Sequence, residues 1–175
     1  MRRFAPLLLV LVAACACDAF CEGPTLPGGA NYIAYTVLSE QGPLSMGTPF
    51  AADTSIAGLR ASIAQRTHQA DCHAYGSSDS CWEKIADLPG HLYVAMTPPY
   101  VCATVRETAA LSGRTLYFIY WIGRPRSGCG DAYPQLHLRL ISFNRSDLPP
   151  SGVLTVDLQL QGGLISDSRV EVTLS

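Results

Sequence analysis

Apolar and polar residues alternate along three segments in the C-terminal half of the chain. Side chains of a β-strand point to opposite faces in turn, so this period of two predicts strands with one buried face. The clearest segment covers residues 154–161, and shorter ones cover 136–140 and 170–174. The apolar members are Leu154, Val156, Leu158 and Leu160, then Leu136, Leu138 and Leu140, then Val170, Val172 and Leu174, and the polar members include His137, Arg139, Thr155, Asp157, Gln159 and Gln161.

Four further segments are rich in aromatic and β-branched residues, which favour strands. They are Asn31 to Leu38, Leu92 to Met96, Tyr100 to Val105 and Thr115 to Ile122, and the last is apolar enough to be buried on both faces. Turns are predicted at Ser112-Gly113, at residues 149–152 and at Gly162-Gly163.

Two segments between the first and second strands predict helices. In residues 53–66, Ile56, Leu59 and Ile63 fit one helical face; the same region also alternates, but its alanines favour helix. In residues 80–88, Ser80 and Glu83 have the spacing of a capping box, and Pro89-Gly90 would end the helix.

This order of elements predicts a mainly β domain over residues 31–175. We expect an antiparallel β-sandwich or an open barrel with one or two short inserted helices; an α+β arrangement is the alternative. A chain of this length suits one such domain.

The N-terminal segment has the pattern of an export signal. Arg2 and Arg3 precede an apolar run over residues 6–14, which is too short to span a bilayer but matches the apolar region of a signal peptide. Residues 1–14 are therefore predicted to be a signal peptide.

The end of that run, Leu11-Val12-Ala13-Ala14-Cys15, resembles the lipobox of bacterial lipoproteins. The resemblance implies that Cys15 is lipidated and that the domain sits on the extracytoplasmic face of a membrane. Prolines and glycines disfavour a helix or a central strand after Cys15, so residues 15–30 are predicted to form a flexible tether. The competing interpretation is cleavage after Ala16, since Ala14-Cys15-Ala16 has the A-x-A form, and it implies a secreted or periplasmic protein.

Charge and composition limit the classes of partner that the protein is expected to bind. Charged residues make up only 15% of the chain, and without Arg2 and Arg3 ten basic residues face fourteen acidic ones, a formal charge of −4. Because nucleic-acid binding needs a basic surplus, we expect no nucleic acid as partner. We also expect no cofactor.

The chain has seven cysteines, and six remain for pairing if Cys15 is acylated. An even number in an exported chain predicts disulfides. Proximity in sequence favours the pairs Cys17–Cys21, Cys72–Cys81 and Cys102–Cys129.

One cluster supports a different chemistry. His68, Cys72, His73 and Cys81 lie close in sequence and could hold zinc or copper, which would fit an extracytoplasmic hydrolase or metal-binding protein. A Cys72–Cys81 disulfide is favoured instead, because oxidation removes the thiolates that a metal needs.

Arg124 and Arg126 occupy a Gly/Pro/Ser-rich loop beside the aromatic strand that contains Tyr120. Arginine and aromatic residues are enriched at binding hot spots, so these three residues are predicted to form a binding surface. No catalytic motif is present in the sequence. We therefore expect a non-enzymatic binding or structural domain that acts on an envelope protein or ligand.

Overall fold

The computed structural model describes residues 23–41, 50–67, 85–98, 103–125, 138–161 and 167–175. These residues form nine strands, one α-helix and a short 3₁₀ turn, so the mainly β prediction is confirmed. The elements are β1 (Asn31–Tyr32), β2 (Thr36–Gln41), β3 (Ala51–Asp53), α1 (Ile56–Thr67), β4 (His91–Met96), β5 (Ala103–Ser112), β6 (Thr115–Pro125), β7 (Leu138–Asn144), the 3₁₀ turn Arg145–Asp147, β8 (Gly152–Gln161) and β9 (Asp167–Leu174).

The described strands form two open sheets. The five-stranded sheet has the order β1-β5-β6-β8-β9, and the four-stranded sheet has the order β2-β7-β4-β3. Neither sheet closes into a barrel within these ranges.

One strand pair departs from the predicted antiparallel arrangement. β6 and β8 run parallel, with Leu116 opposite Val156, whereas the other pairs are antiparallel. The chain leaves the five-stranded sheet after β6, forms β7 in the other sheet, and returns as β8. Parallel neighbours are separated by an even number of chain reversals, in contrast to the single reversal of a hairpin.

The first predicted strand is divided between the two sheets. β1 pairs with β5, while β2 pairs with β7. The backbone N–H of Ile33 still donates to the carbonyl of Ala109 at 3.0 Å, so the chain crosses from one sheet to the other over residues 33–35.

The larger hydrophobic cluster contains residues of both sheets. Leu92, Val94 and Phe143 come from the four-stranded sheet, and Phe118 and Leu154 come from the five-stranded sheet; all five are fully buried. Residues of both sheets therefore contribute to one core.

Helix α1 packs on the opposite face of the four-stranded sheet. Leu59 and Ile63 join Tyr93 and Leu140 in a second, smaller cluster. At the helix N-terminus, Ser55 Oγ accepts a hydrogen bond from the backbone N–H of Gly58 at 3.0 Å, a side-chain cap of the first turn. The helix predicted over residues 53–66 is thus confirmed, and the four-stranded sheet is covered on both faces.

The remaining local predictions have mixed outcomes. Each predicted strand of the C-terminal half overlaps one of β4 to β9, but β5 continues to Ser112, seven residues beyond the predicted end at Val105. The Ser112-Gly113 turn is present with Gly113 at φ 56°. The short strand β3 was not predicted. Residues 85–88 are not helical, so that part of the second predicted helix is wrong, while residues 80–84, 100–102 and 162–166 lie outside the described residues.

Candidate functional site: a charged network between the sheets

Charged side chains enter the space between the sheets at one end of the shared core. Arg139 of β7 lies opposite Glu40 of β2, and Glu107 of β5 lies opposite Tyr120 of β6. Tyr35, in the segment that crosses between the sheets, completes the group. We call these five residues the Arg139 network.

Arg139 is the centre of the network. Its Nη1 pairs with Oε2 of Glu107, and its Nε lies 3.3 Å from Oε2 of Glu40. The contact with Glu40 is an ion pair without hydrogen-bond alignment, since Nε makes no hydrogen bond to a described residue. The side chains of Arg139, Glu107 and Glu40 are 17%, 24% and 48% exposed, so solvent reaches the network at Glu40.

Two tyrosines connect the charges to the aromatic core. The hydroxyl of Tyr35 donates to Glu107 Oε1 at 2.7 Å, and the hydroxyl of Tyr120 lies 3.3 Å from Sδ of Met96. The rings of Tyr35 and Tyr120 contact Phe118 edge to face, with centroids 5.1 and 5.2 Å away. Such contacts fix the rings and with them the hydroxyl groups.

The surroundings shift three pKa values. Burial raises the pKa of Tyr35 and of Tyr120 well above the ordinary phenol value; the hydrogen bond to Glu107 adds to the rise for Tyr35, and Arg139 partly opposes it for Tyr120. Burial lowers the pKa of Arg139, but contacts with Tyr120, Glu107 and Glu40 outweigh this, and its pKa is raised. The network therefore holds a permanent cation and two neutral phenols near neutral pH.

The network joins β2, β5, β6 and β7, which belong to both sheets. Its charged groups contact one another, which is the arrangement that buried charges require. This geometry is suited to holding the sheets in register.

A second buried carboxylate lies on the far face of the five-stranded sheet. Its neighbours Val156 and Leu158 pack in the shared core, so Asp157 points to the opposite face of the sheet. Asp157 is nevertheless only 1% exposed. Its Oδ2 accepts from Nε of Arg169 at 3.2 Å and from Nε2 of Gln159 at 3.4 Å. The alternating pattern predicts a solvent face here, so the burial of Asp157 corrects that expectation.

The N-terminal segment contributes to this far face. The backbone N–H of Thr25 donates to Oε1 of Gln161 at 2.7 Å, and Nε2 of Gln161 donates to the carbonyl of Thr25 at 2.8 Å. Within the predicted tether of residues 15–30, Thr25 is thus held by the domain, and residues 15–22 lie outside the described residues.

A shallow groove of about 430 Å³ runs beside β1. Its most exposed aromatic side chain is Tyr32, at 71%. The lining residues are Asn31, Tyr32, Ile33, Ala34, Leu111 and Asp147.

The structure describes only part of the predicted site. Tyr120 is 1% exposed and belongs to the Arg139 network, so its side chain lies in the interior rather than on a binding surface. Arg124 lies in β6, and only its backbone is described. Arg126, His68, His73, Cys15, Cys17, Cys21, Cys72, Cys81, Cys102 and Cys129 lie outside the described residues.

Two negative findings apply to the described ranges. They contain no group of three or more His, Cys, Asp or Glu side chains placed to hold a metal ion. None of their helices is long and apolar enough to cross a membrane.

Comparison with known proteins gives no relative: no family model, curated protein or solved structure matches the chain. The function of the candidate site is therefore inferred from its geometry. Sequence reasoning missed Glu107 and Arg139 as partners. Arg139 stands between Leu138 and Leu140, which is a signal, whereas Glu107 stands between Arg106 and Thr108 and gives none.

Proposed function

We propose that this chain is a bacterial envelope lipoprotein whose β-rich domain acts by binding or by structural support rather than by catalysis. The observation that carries the proposal is Leu11-Val12-Ala13-Ala14-Cys15, placed directly after a short apolar run. Lipidation of Cys15 would anchor the domain to the extracytoplasmic face of a membrane, since each buried methylene contributes about 0.8 kcal/mol.

We propose further that the two sheets stack as a sandwich stapled by disulfides. The shared core, with residues from both sheets, supports the stacking. The strand register supports the pair Cys102–Cys129: Ala103 lies opposite Pro125, Cys102 directly precedes Ala103, and Cys129 is the fourth residue after Pro125. Both cysteines are thus attached to the same end of one strand pair.

The contacts among the charged groups of the Arg139 network support a non-enzymatic role. Arg139 contacts two carboxylates, and Tyr35 donates to one of them. Groups that satisfy one another in this way stabilise the fold, whereas a catalytic group must be available to a substrate. Recognition of an envelope protein or ligand is assigned to the loop that contains Arg124 and Arg126.

The test compares the wild-type chain with Cys15→Ser in cell fractionation, with mass spectrometry of the mature N-terminus. We expect an acylated Cys15 and membrane retention for the wild type, and loss of both for Cys15→Ser. Cys17→Ser is the matched control, because it changes a cysteine two residues away and should leave acylation intact. A mature chain that begins at Cys17 without acylation would replace the lipoprotein proposal with secretion after cleavage at Ala16.

A further inference from the structure

Three side chains form a row across the far face of the five-stranded sheet. Arg106 of β5 lies opposite Trp121 of β6, and Trp121 lies opposite Gln161 of β8. Their strand neighbours Glu107, Tyr120 and Leu160 point toward the other sheet, so the row points away from it. The guanidinium of Arg106 sits over the indole of Trp121, 5.6 Å from the ring centroid.

The N-terminal segment enters the domain at this row. A Cβ atom at Gly23 would lie 3.6 Å from Nη1 of Arg106, and two residues later Thr25 makes its pair of hydrogen bonds with Gln161. The first described residues are therefore hydrogen-bonded to Gln161 at one end of the row and lie near Arg106 at the other.

The length of chain between the anchor and the row is short. Seven residues lie between Cys15 and Gly23, so eight Cα-to-Cα steps join them. They can span at most about 28 Å when fully extended, and about 16 Å on average as a flexible coil. If Cys15 carries acyl chains in the bilayer, the row is held close to the headgroups.

The opposite end of the same face lies far from the Arg106–Trp121 row. Val153 lies on β8 eight residues before Gln161, with the same side-chain parity, and is 48% exposed. At about 3.3 Å per residue, this places it roughly 26 Å from the row.

We propose that the Arg106–Trp121 row faces the membrane and contacts anionic phospholipid headgroups, so that the domain sits with this end of the five-stranded sheet toward the bilayer. Tryptophan favours the membrane–water interface because its ring is apolar and its N–H is polar. Arginine pairs with phosphate through a planar fork of donors. A contact of this kind adds a second attachment to the acyl anchor. The inference rests on the proposed acylation of Cys15.

The experiment uses the acylated full-length mature protein in vesicles of phosphatidylethanolamine and phosphatidylglycerol that contain brominated lipid, which quenches nearby tryptophan. The chain has two tryptophans, so Trp82→Phe leaves Trp121 as the single reporter. The matched control combines Trp82→Phe, Trp121→Phe and Val153→Trp, which moves the reporter to the far end of the same face. We expect the bromine-dependent loss of emission to be at least threefold greater for Trp121 than for the reporter at position 153.

The chemistry of the contact is tested by Arg106→Gln in the Trp82→Phe background. Its quenching should fall in vesicles with phosphatidylglycerol and stay unchanged in vesicles of phosphatidylcholine alone. An equal reduction of quenching in both kinds of vesicle would show that Arg106 does not contact an anionic headgroup.

A second measurement guards against misfolding of the variants. Hydroxyl-radical oxidation of the wild-type protein in vesicles should be lower at Trp121 than in soluble Cys15→Ser, and unchanged at Tyr32. Equal quenching at both reporter positions, or no protection of Trp121 in acylated protein, overturns the membrane-facing row alone. Absence of acyl chains on Cys15 in mass spectrometry overturns the proposed function itself.

Discussion

Two carboxylates of the five-stranded sheet are withdrawn from solvent, Glu107 on the face toward the other sheet and Asp157 on the far face. Glu107 has a cation that is itself largely buried, Arg139, and a second donor in Tyr35. Asp157 relies on Arg169, whose side chain is 64% exposed, and on a long contact with Gln159. Its Oδ1 makes no hydrogen bond with any described residue.

The difference shows that burial alone does not measure the contribution of a charge. A buried carboxylate stabilises the fold only where fixed donors replace the lost water. Glu107 meets this condition with donors from β7 and from the segment that contains Tyr35, while Asp157 accepts from one exposed cation and from a residue of its own strand. We therefore expect the fold to depend on Glu107 and its partners and to tolerate changes around Asp157.

The largest effect is expected from removing the shared cation. Arg139→Met keeps an unbranched side chain but leaves Glu107 in the interior without its partner, which typically costs about 3–5 kcal/mol of unfolding free energy. Urea unfolding followed by circular dichroism measures the loss. Arg169→Met is the matched control and should cost less, because the Arg169 side chain is 64% exposed and solvent already screens its side of the pair with Asp157. Equal losses in the two variants would mean that the two carboxylates are equivalent.

A smaller effect is expected when each carboxylate is replaced by its own amide. Glu107→Gln weakens the charge-assisted bonds from Arg139 and Tyr35, and we expect a loss of about 2 kcal/mol. Asp157→Asn also removes a charge from a site with an unsatisfied oxygen, so its stability should change by less than about 1 kcal/mol in either direction. The same unfolding measurement compares them, and a greater loss for Asp157→Asn would reverse the comparison.

The smallest effect is expected at Tyr35, and it should depend on pH. Tyr35→Phe removes one hydrogen bond to Glu107, which should cost about 1–2 kcal/mol near pH 8. The folded state raises the pKa of Tyr35 above its ordinary value of 10.0, so the folded state favours the neutral phenol. Its contribution is complete below about pH 10 and is lost as pH rises from there toward the folded pKa.

The difference in unfolding free energy between wild type and Tyr35→Phe should therefore shrink between pH 9 and pH 11.5. Taking the difference cancels the titration of tyrosines that both proteins retain, among them Tyr120. A difference that stays constant over this range would show that the Tyr35 hydroxyl is not shielded by the fold.

Much of the strand pattern could be predicted because it depends on local alternation. β8 follows the period of two over residues 154–161 and β9 over residues 170–174, and the helix was identified from the spacing of Ile56, Leu59 and Ile63. β3 has only three residues, too few for a period to be recognised. The division between β1 and β2 was hidden because the aromatic and β-branched composition continues through the crossing segment.

The candidate site was harder to predict because alternation reports which side a residue faces but not what covers that side. On β7 it places the leucines on one face and Arg139 on the other, as observed. The leucine face is covered by α1 and the Arg139 face by the second sheet, so both are interior. Pairing across sheets depends on the topology, which local patterns do not contain.

The way the N-terminal segment is fixed has a consequence for the order of folding. Its described contacts reach far along the chain: Tyr35 bonds to Glu107, 72 residues later, and Thr25 bonds to Gln161, 136 residues later. β1 and β2 likewise pair with β5 and β7 rather than with their neighbours in sequence. A ribosome delivers these residues before the strands that they contact, so they must wait for β5, β7 and β8 before they find their partners. Contacts of such long sequence separation form slowly, because the closure of large loops comes before any gain from pairing. Strands β1 and β2 are thus made before their partners but are among the last to take their place, which leaves the aromatic segment from Tyr32 to Tyr35 exposed to other chains or to chaperones during that interval.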